Sequence, residues 1–167
     1  MSRFGVGNVD TDIVVQAAEK QDLPHLSQIH ATGFSRQWTD GEFEALLSND
    51  HYTCLTAKKA GLANKPPLGF LILKTVLDET EVISIAVSPK MQNRGIANLL
   101  MQAGLRQMHA DRIKSVFLEV DEANENALKL YQKLGFKTES IRKGYYKKPG
   151  EDEASRSDAL VMKLELG

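Results

Sequence analysis

The 167-residue chain reads as a mixed α/β fold, an α+β sheet with helices on both faces. Apolar runs of strand composition stand before and after two helical patterns, and a single strand–helix–strand unit lies in the middle. That unit runs from Glu81–Val87, through a glycine-bearing turn and a helix, to Ser115–Val120. Leu68–Leu77 and Glu81–Val87 are near-continuous apolar runs, as expected of central strands buried on both faces.

Taken in order, Ile13–Ala18 (I-V-V-Q-A-A) predicts a first strand. Asp22-Leu23-Pro24 predicts a helix start with Asp22 as N-cap, and Leu23, Leu26, Ile29 and His30 follow helical spacing up to Gly33. A loop with Phe34, Arg36, Gln37 and Trp38 leads to a second helix capped by Thr39 or Asp40, its stripe formed by Phe43, Leu46 and Leu47. Tyr52–Lys58 is the second strand. The two central runs then form a hairpin turning at Asp78-Glu79-Thr80. Ile96, Leu99, Leu100, Ala103 and Met108 mark one face of a helix between Arg94 and Ala110. Ala127, Leu130, Tyr131 and Leu134 mark another, which Gly135 ends. Phe136–Tyr146 and Ala159–Leu166 read as the last strands, separated by the charged loop Lys147–Ser157.

A chain of this size fits one domain burying roughly 70% of its unfolded surface. We expect residues 13–167 to be that domain and 1–12 a flexible tail. The net charge of −1 gives no general attraction to nucleic acid or membrane, so neither is expected as a partner. No stretch approaches the ~18 apolar residues of a membrane span, and the start lacks the apolar core of a secretory signal; the expected address is the cytoplasm. The single cysteine, Cys54, excludes an internal disulfide. The four histidines, His25, His30, His51 and His109, are scattered and read as surface residues, and no metal is expected.

The chemistry concentrates between Val82 and Phe136. An apolar strand ends in Ser88-Pro89, and the turn Gln92-Asn93-Arg94-Gly95-Ile96-Ala97 opens directly into a helix. The first N–H groups of a helix have no intrahelical acceptor and carry the positive end of its dipole, which suits an anion. Gly95 lets a phosphate approach the main chain, although glycine here reads equally as a plain left-handed turn. The pattern is neither a P-loop nor a dinucleotide-binding loop. Glu119 stands alone in an apolar strand and, on pattern alone, reads first as a surface carboxylate. Tyr131 reads as a core aromatic, Asn124 as a helix N-cap, and Trp38 as either a core plug or a loop aromatic.

The motif Gln-x-x-Gly-x-Ala after A-V-S-P resembles the acetyl-CoA signature of the GCN5-related N-acetyltransferases (GNAT). L-E-V-D-E-A-N-E-N-A-L-K-L-Y-Q-K-L-G-F, I-R-K-G-Y-Y and D-A-L-V-M extend the resemblance, in order, over Ile13–Leu166. They are most similar to the branch that acetylates the N-terminal alanine of a bacterial small-subunit ribosomal protein. The resemblance implies a mixed, mostly antiparallel sheet of about seven strands flanked by four helices, with strands four and five splayed at the cofactor site. It implies acetyl-CoA as donor, with coenzyme A as product and no metal. Ile85, Ala86 and Val87 then match the strand lining the cofactor's acetyl and pantetheine arm. Asn93, Arg94, Gly95, Ile96, Ala97 and Asn98 match the pyrophosphate turn, and Asn124 a cofactor-contacting asparagine.

By the same resemblance Glu119 matches the general base and Tyr131 the general acid that reprotonates the leaving thiolate. Trp38, Arg36, Tyr145 and Tyr146 lie on segments flanking the acceptor groove. The implied partner is a protein or peptide N-terminus, with the enzyme a monomer or weak dimer. Three departures border the acceptor side: the long charged loop Lys147–Asp158, Ser157-Asp158-Ala159 in place of Glu-Asp-Ala, and Asp121 in place of a basic residue. They leave open a small amine or a lysine side chain as acceptor. A non-catalytic acyl-CoA-binding module is a further alternative, against which the retained Glu119 and Tyr131 speak.

Overall fold

The computed structural model describes residues 12–33, 38–61, 64–146 and 156–167. The strands are β1 (Ile13–Ala17), β2 (Tyr52–Lys59), β3 (Gly69–Val76), β4 (Glu79–Val87), β5 (Ser115–Asp121), β6 (Lys137–Tyr146) and β7 (Ser157–Glu165). The helices are α1 (Leu23–Gly33), α2 (Asp40–Leu47), α3 (Ile96–Ala110) and α4 (Glu125–Leu134), with short 3-10 turns at Lys20–Asp22 and Pro89–Met91. The strands form one mixed sheet in the order β1-β2-β3-β4-β5-β7-β6. The chain packs as two compact units, Met1–Thr75 with Ile83–Met108 and Val76–Val82 with His109–Gly167. The expected tail lies, but for Asp12, outside the described residues.

In the first unit, α1 and α2 bury Leu23, Leu26, Ile29 and Phe43 against Cys54, Phe70 and Ile72 of β2 and β3. Phe43 and Phe70 meet edge to face at 5.6 Å, the geometry their ring quadrupoles favour. Thr39 is the N-cap of α2: its hydroxyl accepts from Glu42 N–H while the Glu42 carboxylate accepts from Thr39 N–H. Two expectations need correction here. His30 is buried, not on the surface, its ring stacked on Trp38 at 4.5 Å and edge-on to Phe43 at 5.9 Å. Its place on the apolar stripe of α1 was the signal. Asp22 is not the N-cap of α1 but ends the preceding 3-10 turn, where its carboxylate accepts from Glu19 N–H (2.8 Å) and pairs with Lys58 Nζ (2.7 Å). Both charged groups are buried, so each needs the other.

In the second unit, the hairpin turn falls at Leu77-Asp78, so β4 begins at Glu79, two residues earlier than the sequence predicts. Thr80, expected in the turn, is buried in the strand. β4 runs parallel to β5 for three residue pairs, Glu79↔Ser115 to Glu81↔Phe117. β5 pairs antiparallel with β7 along its whole length, Ser115↔Glu165 to Asp121↔Ala159, and β6 pairs with the other edge of β7. Val116, Leu118 and Val120 point into the core, leaving Glu119 on the opposite face. Gly135 caps α4 in the left-handed conformation, φ 101°, as the sequence predicts.

Phe43 is fully buried and touches three rings, so Phe43→Ala should destabilise the protein by roughly 3–5 kcal/mol. Leu77→Ala, at a residue 92% exposed, should stay within about 0.5 kcal/mol of wild type. Denaturant midpoints check both; equal midpoints for the two variants would contradict this packing.

Candidate active site

The first unit carries the turn expected to take an anion. After β4, Ser88 N–H donates to Leu68 O (2.8 Å) and Met91 N–H to Ser88 O (2.8 Å), holding the Pro89–Met91 turn against β3. Gln92 Nε2 donates to Val87 O (3.3 Å). The backbone then passes through two left-handed residues, Asn93 (φ 61°) and Gly95 (φ 79°). Left-handed residues interspersed in a turn aim successive N–H groups into one concavity, which favours an anion. Gly95 O accepts from Leu99 N–H (3.0 Å), closing the first turn of α3, and buried Ile96 anchors it. The N–H groups up to Asn98 precede the first intrahelical bond, and no acidic residue sits in this turn to oppose an anion. Asn93, Arg94, Gly95, Ile96, Ala97 and Asn98 thus form a cradle that fits a pyrophosphate. Arg94 and Lys90 are exposed at its rim. Ile85, Ala86 and Val87 are half-buried on the strand leading into it. Trp38, also of this unit, spends its ring on His30 and Phe43, and its backbone N–H donates to His30 Nδ1 (3.4 Å).

The second unit carries the two expected acid–base groups. Glu119 projects from β5 with its side chain 31% exposed, and Arg142 Nη1 of β6 donates to its Oε1 at 2.7 Å. The Arg142 guanidinium also lies over the Tyr145 ring, 4.9 Å from its centroid. Tyr145 and Tyr146 meet edge to face at 5.2 Å. Burial pushes the Tyr146 phenol up from its ordinary pKa, and the charges of Glu119 and Asp121 push it the same way against Arg142. Tyr131 is buried on α4, edge-on to Phe136 at 5.9 Å. Burial first, and then Tyr146, raise its pKa to about 12. Tyr146 thus feels Glu119, and Tyr131 feels Tyr146, although the three come from three elements.

The loop geometry holds this cluster in place. Gly144, at φ 63° in a bulge of β6, donates its N–H to Asp158 Oδ1 (2.8 Å). Asp158 N–H donates to Glu122 Oε1 (3.2 Å), and Glu122 N–H to Asp158 O (3.0 Å). Asn124 caps α4, its Oδ1 accepting from Ala127 N–H at 3.2 Å, which leaves its amide nitrogen for any cofactor contact. Asp121 Oδ1 accepts from Ala123 N–H and turns the chain into that cap. Arg36, and residues 147–155 of the charged loop, lie outside the described residues.

Sequence reasoning missed Arg142, Glu122 and Asp158 as parts of this cluster. The I-R-K-G-Y-Y run pointed to the tyrosines, but a partner two strands away leaves no trace in local spacing. Among the described residues no group of His, Cys, Asp or Glu side chains comes together that could hold a metal ion.

The model of the acetyltransferase (GNAT) family matches residues 23–136. The chain belongs to that family. As a GNAT protein it is an acetyltransferase, and its sheet and helices are those the sequence predicts. The [ribosomal protein bS18]-alanine N-acetyltransferase of Haemophilus ducreyi is 33% identical over 153 residues, covering 92% of this chain and all of that one. The crystal structure of the ribosomal-protein-S18-alanine N-acetyltransferase from Escherichia coli superposes with a TM-score of 0.80 at 26% identity, over 93% of this chain and 94% of that chain. Arabidopsis thaliana NAA60, solved in complex with acetyl-CoA, shares the fold (TM-score 0.76, 18% identity, 92% of this chain and 98% of that one). No helix among the described residues is long and apolar enough to cross a membrane.

With its folded pKa raised to about 12 against about 10 unfolded, the Tyr131 phenol should stay protonated through pH 10. Its contribution to stability is intact below pH 10 and is lost as pH rises toward 12. Phenolate absorbance compared between wild type and Tyr131→Phe should show the missing tyrosine titrating late. A difference spectrum centred near pH 10 would contradict the buried placement.

Proposed function

We propose that this GNAT protein acetylates the N-terminal α-amine of a protein, a ribosomal-protein alanine being the favoured acceptor, with acetyl-CoA as donor and coenzyme A as product. The observation that carries the reading is that the second unit holds both a partly exposed carboxylate, Glu119, and a buried protonated phenol, Tyr131. Relatives that cover nearly the whole chain, and are named for bS18 alanine acetylation, support the acceptor.

Acetyl-CoA, when bound, supplies an acetyl group activated as a thioester. Its pyrophosphate would take the N–H groups of the Asn93–Asn98 turn, and its arm the backbone of Ile85, Ala86 and Val87, with Asn124 offering its amide nitrogen. An α-ammonium, with a pKa of about 8, must lose a proton before its nitrogen has a lone pair to attack with. Glu119 takes that proton, directly or through one water. Tyr131 holds a proton on Oη for the departing sulfur, as any phenol does at neutral pH, and burial extends that protonated range upward. Tyr145 and Tyr146 would wall the acceptor's first residues, with Trp38 a further proposed acceptor contact. The reading needs no metal and places the enzyme where ribosomal proteins are made, in the cytoplasm.

Glu119→Gln keeps shape but accepts no proton, so kcat should fall by roughly 10²–10⁴ with cofactor affinity near normal. The loss should shrink at high pH, where more acceptor is already a free amine. A wild-type rate at every pH would remove Glu119 as base.

Gly95→Val should weaken acetyl-CoA binding at least about tenfold by calorimetry, in a variant shown to be folded. Unchanged affinity would remove the turn from the cofactor site.

Acceptor identity is read by kinetics on an Ala-first peptide, its N-terminally blocked twin carrying a lysine, and free spermidine. The Ala terminus should be fastest. Faster turnover of either rival would overturn the α-amine reading and leave the fold and donor untouched.

A further inference from the structure

Arg142 has no part in the proposed proton transfers, yet it hydrogen-bonds the group that does. Its Nη1 lies 2.7 Å from Glu119 Oε1. Among the described residues Oε2 of the same carboxylate accepts no hydrogen bond. The register of β7 explains how two strands' side chains meet. Glu119 pairs with Val161, Asp121 and Arg142 both pair with Ala159, and paired residues share a face of the sheet. Glu119 and Arg142 therefore rise from one face, on either side of β7, with only the methyl of Ala159 beside Arg142 in that row. The guanidinium is held in turn by Tyr145, whose ring it covers at 4.9 Å. Arg142 is half exposed, on a strand whose residues from Lys137 to Lys143 all face solvent. A pair in such a place adds little to stability, so its role is to be sought elsewhere.

We infer that Arg142 is a positioning residue for acetyl transfer: by binding Oε1 it orients the Glu119 carboxylate so that Oε2 is the oxygen presented to the acceptor ammonium. A free glutamate samples three side-chain torsions, and proton transfer needs the carboxylate within about 2.6–3.2 Å of the proton's nitrogen or of one bridging water. The charge-assisted bond from a planar guanidinium, itself pinned against Tyr145, removes that freedom at the one oxygen not needed for chemistry. The inference rests on Glu119 being the base.

The test is a double-mutant cycle of Arg142→Ala and Glu119→Gln, read as kcat and KM on the acceptor that turns over fastest in the peptide panel. Arg142→Ala should lower kcat about tenfold with KM changed less than about threefold, and the double variant should be no slower than Glu119→Gln alone. Arg142→Lys should recover part of the rate, and added guanidinium should speed Arg142→Ala but not the double variant. Melting temperatures close to wild type show that the exposed substitution leaves the fold intact. If Glu119→Gln is slow while Arg142→Ala turns over at the wild-type rate, or if the two losses add in full, the positioning role is wrong and the base assignment stands. If Glu119→Gln itself runs at the wild-type rate, both fall.

Discussion

Seven residues of β5 pair with β7 in a single register, and that register decides which way Glu119 points. Side chains alternate across a strand, so burying Val116, Leu118 and Val120 obliges Glu119 to face the other way. A slip of one residue would bury the carboxylate and expose three apolar side chains, a double cost that locks the register. The same strand, β7, carries β6 on its other edge and so brings Arg142, Tyr145 and Tyr146 to the face on which Glu119 stands. Ordinary core packing thereby aims a charged group that packing alone would never place.

Two ion pairs show how burial changes what such a pair means. Lys58 and Asp22 lie almost fully buried, where an uncompensated charge is costly, so each keeps the other in place. Asp22 also accepts the Glu19 N–H and so shapes the entry to α1. Arg142 and Glu119 meet at the same 2.7 Å, but half in water, where pairs of this kind are worth about 0–1 kcal/mol. The first pair fits a structural task. The second adds little to stability, so what it contributes is direction: it fixes Oε1 and leaves Oε2 without a hydrogen bond among the described residues.

Much of this was legible in the chain itself. The strand and helix runs, the Asn124 cap, the Gly135 stop and the Gly95 turn are local signals, set by backbone preference and by periodicity within a dozen residues. The two candidate acid–base groups were reached through a family resemblance, since Glu119 alone reads as any surface carboxylate. What the sequence did not show is non-local. His30 looks like a surface histidine until Trp38 and Phe43 close over it. Asp22 looks like a cap until Lys58, on another element, claims it. Arg142 is one basic residue among several until the β5–β7–β6 register sets it on the face of Glu119, one row along, within reach of its carboxylate. Even the hairpin follows this rule: the polar Asp78-Glu79-Thr80 resembles a turn, but Glu79 and Thr80 are drawn into pairing with Ser115 and Val116 of β5, and the bend moves to Leu77-Asp78.

The central claim is that Glu119 takes the proton from an α-amine. A crystal structure with a bisubstrate compound, coenzyme A joined through an acetyl bridge to the α-nitrogen of an Ala-first peptide, tests it most directly. The account predicts that nitrogen within about 2.6–3.2 Å of Glu119 Oε2, or one ordered water away, with Arg142 still on Oε1. A bound compound whose nitrogen lies beyond reach of the carboxylate and of any water it holds would contradict it.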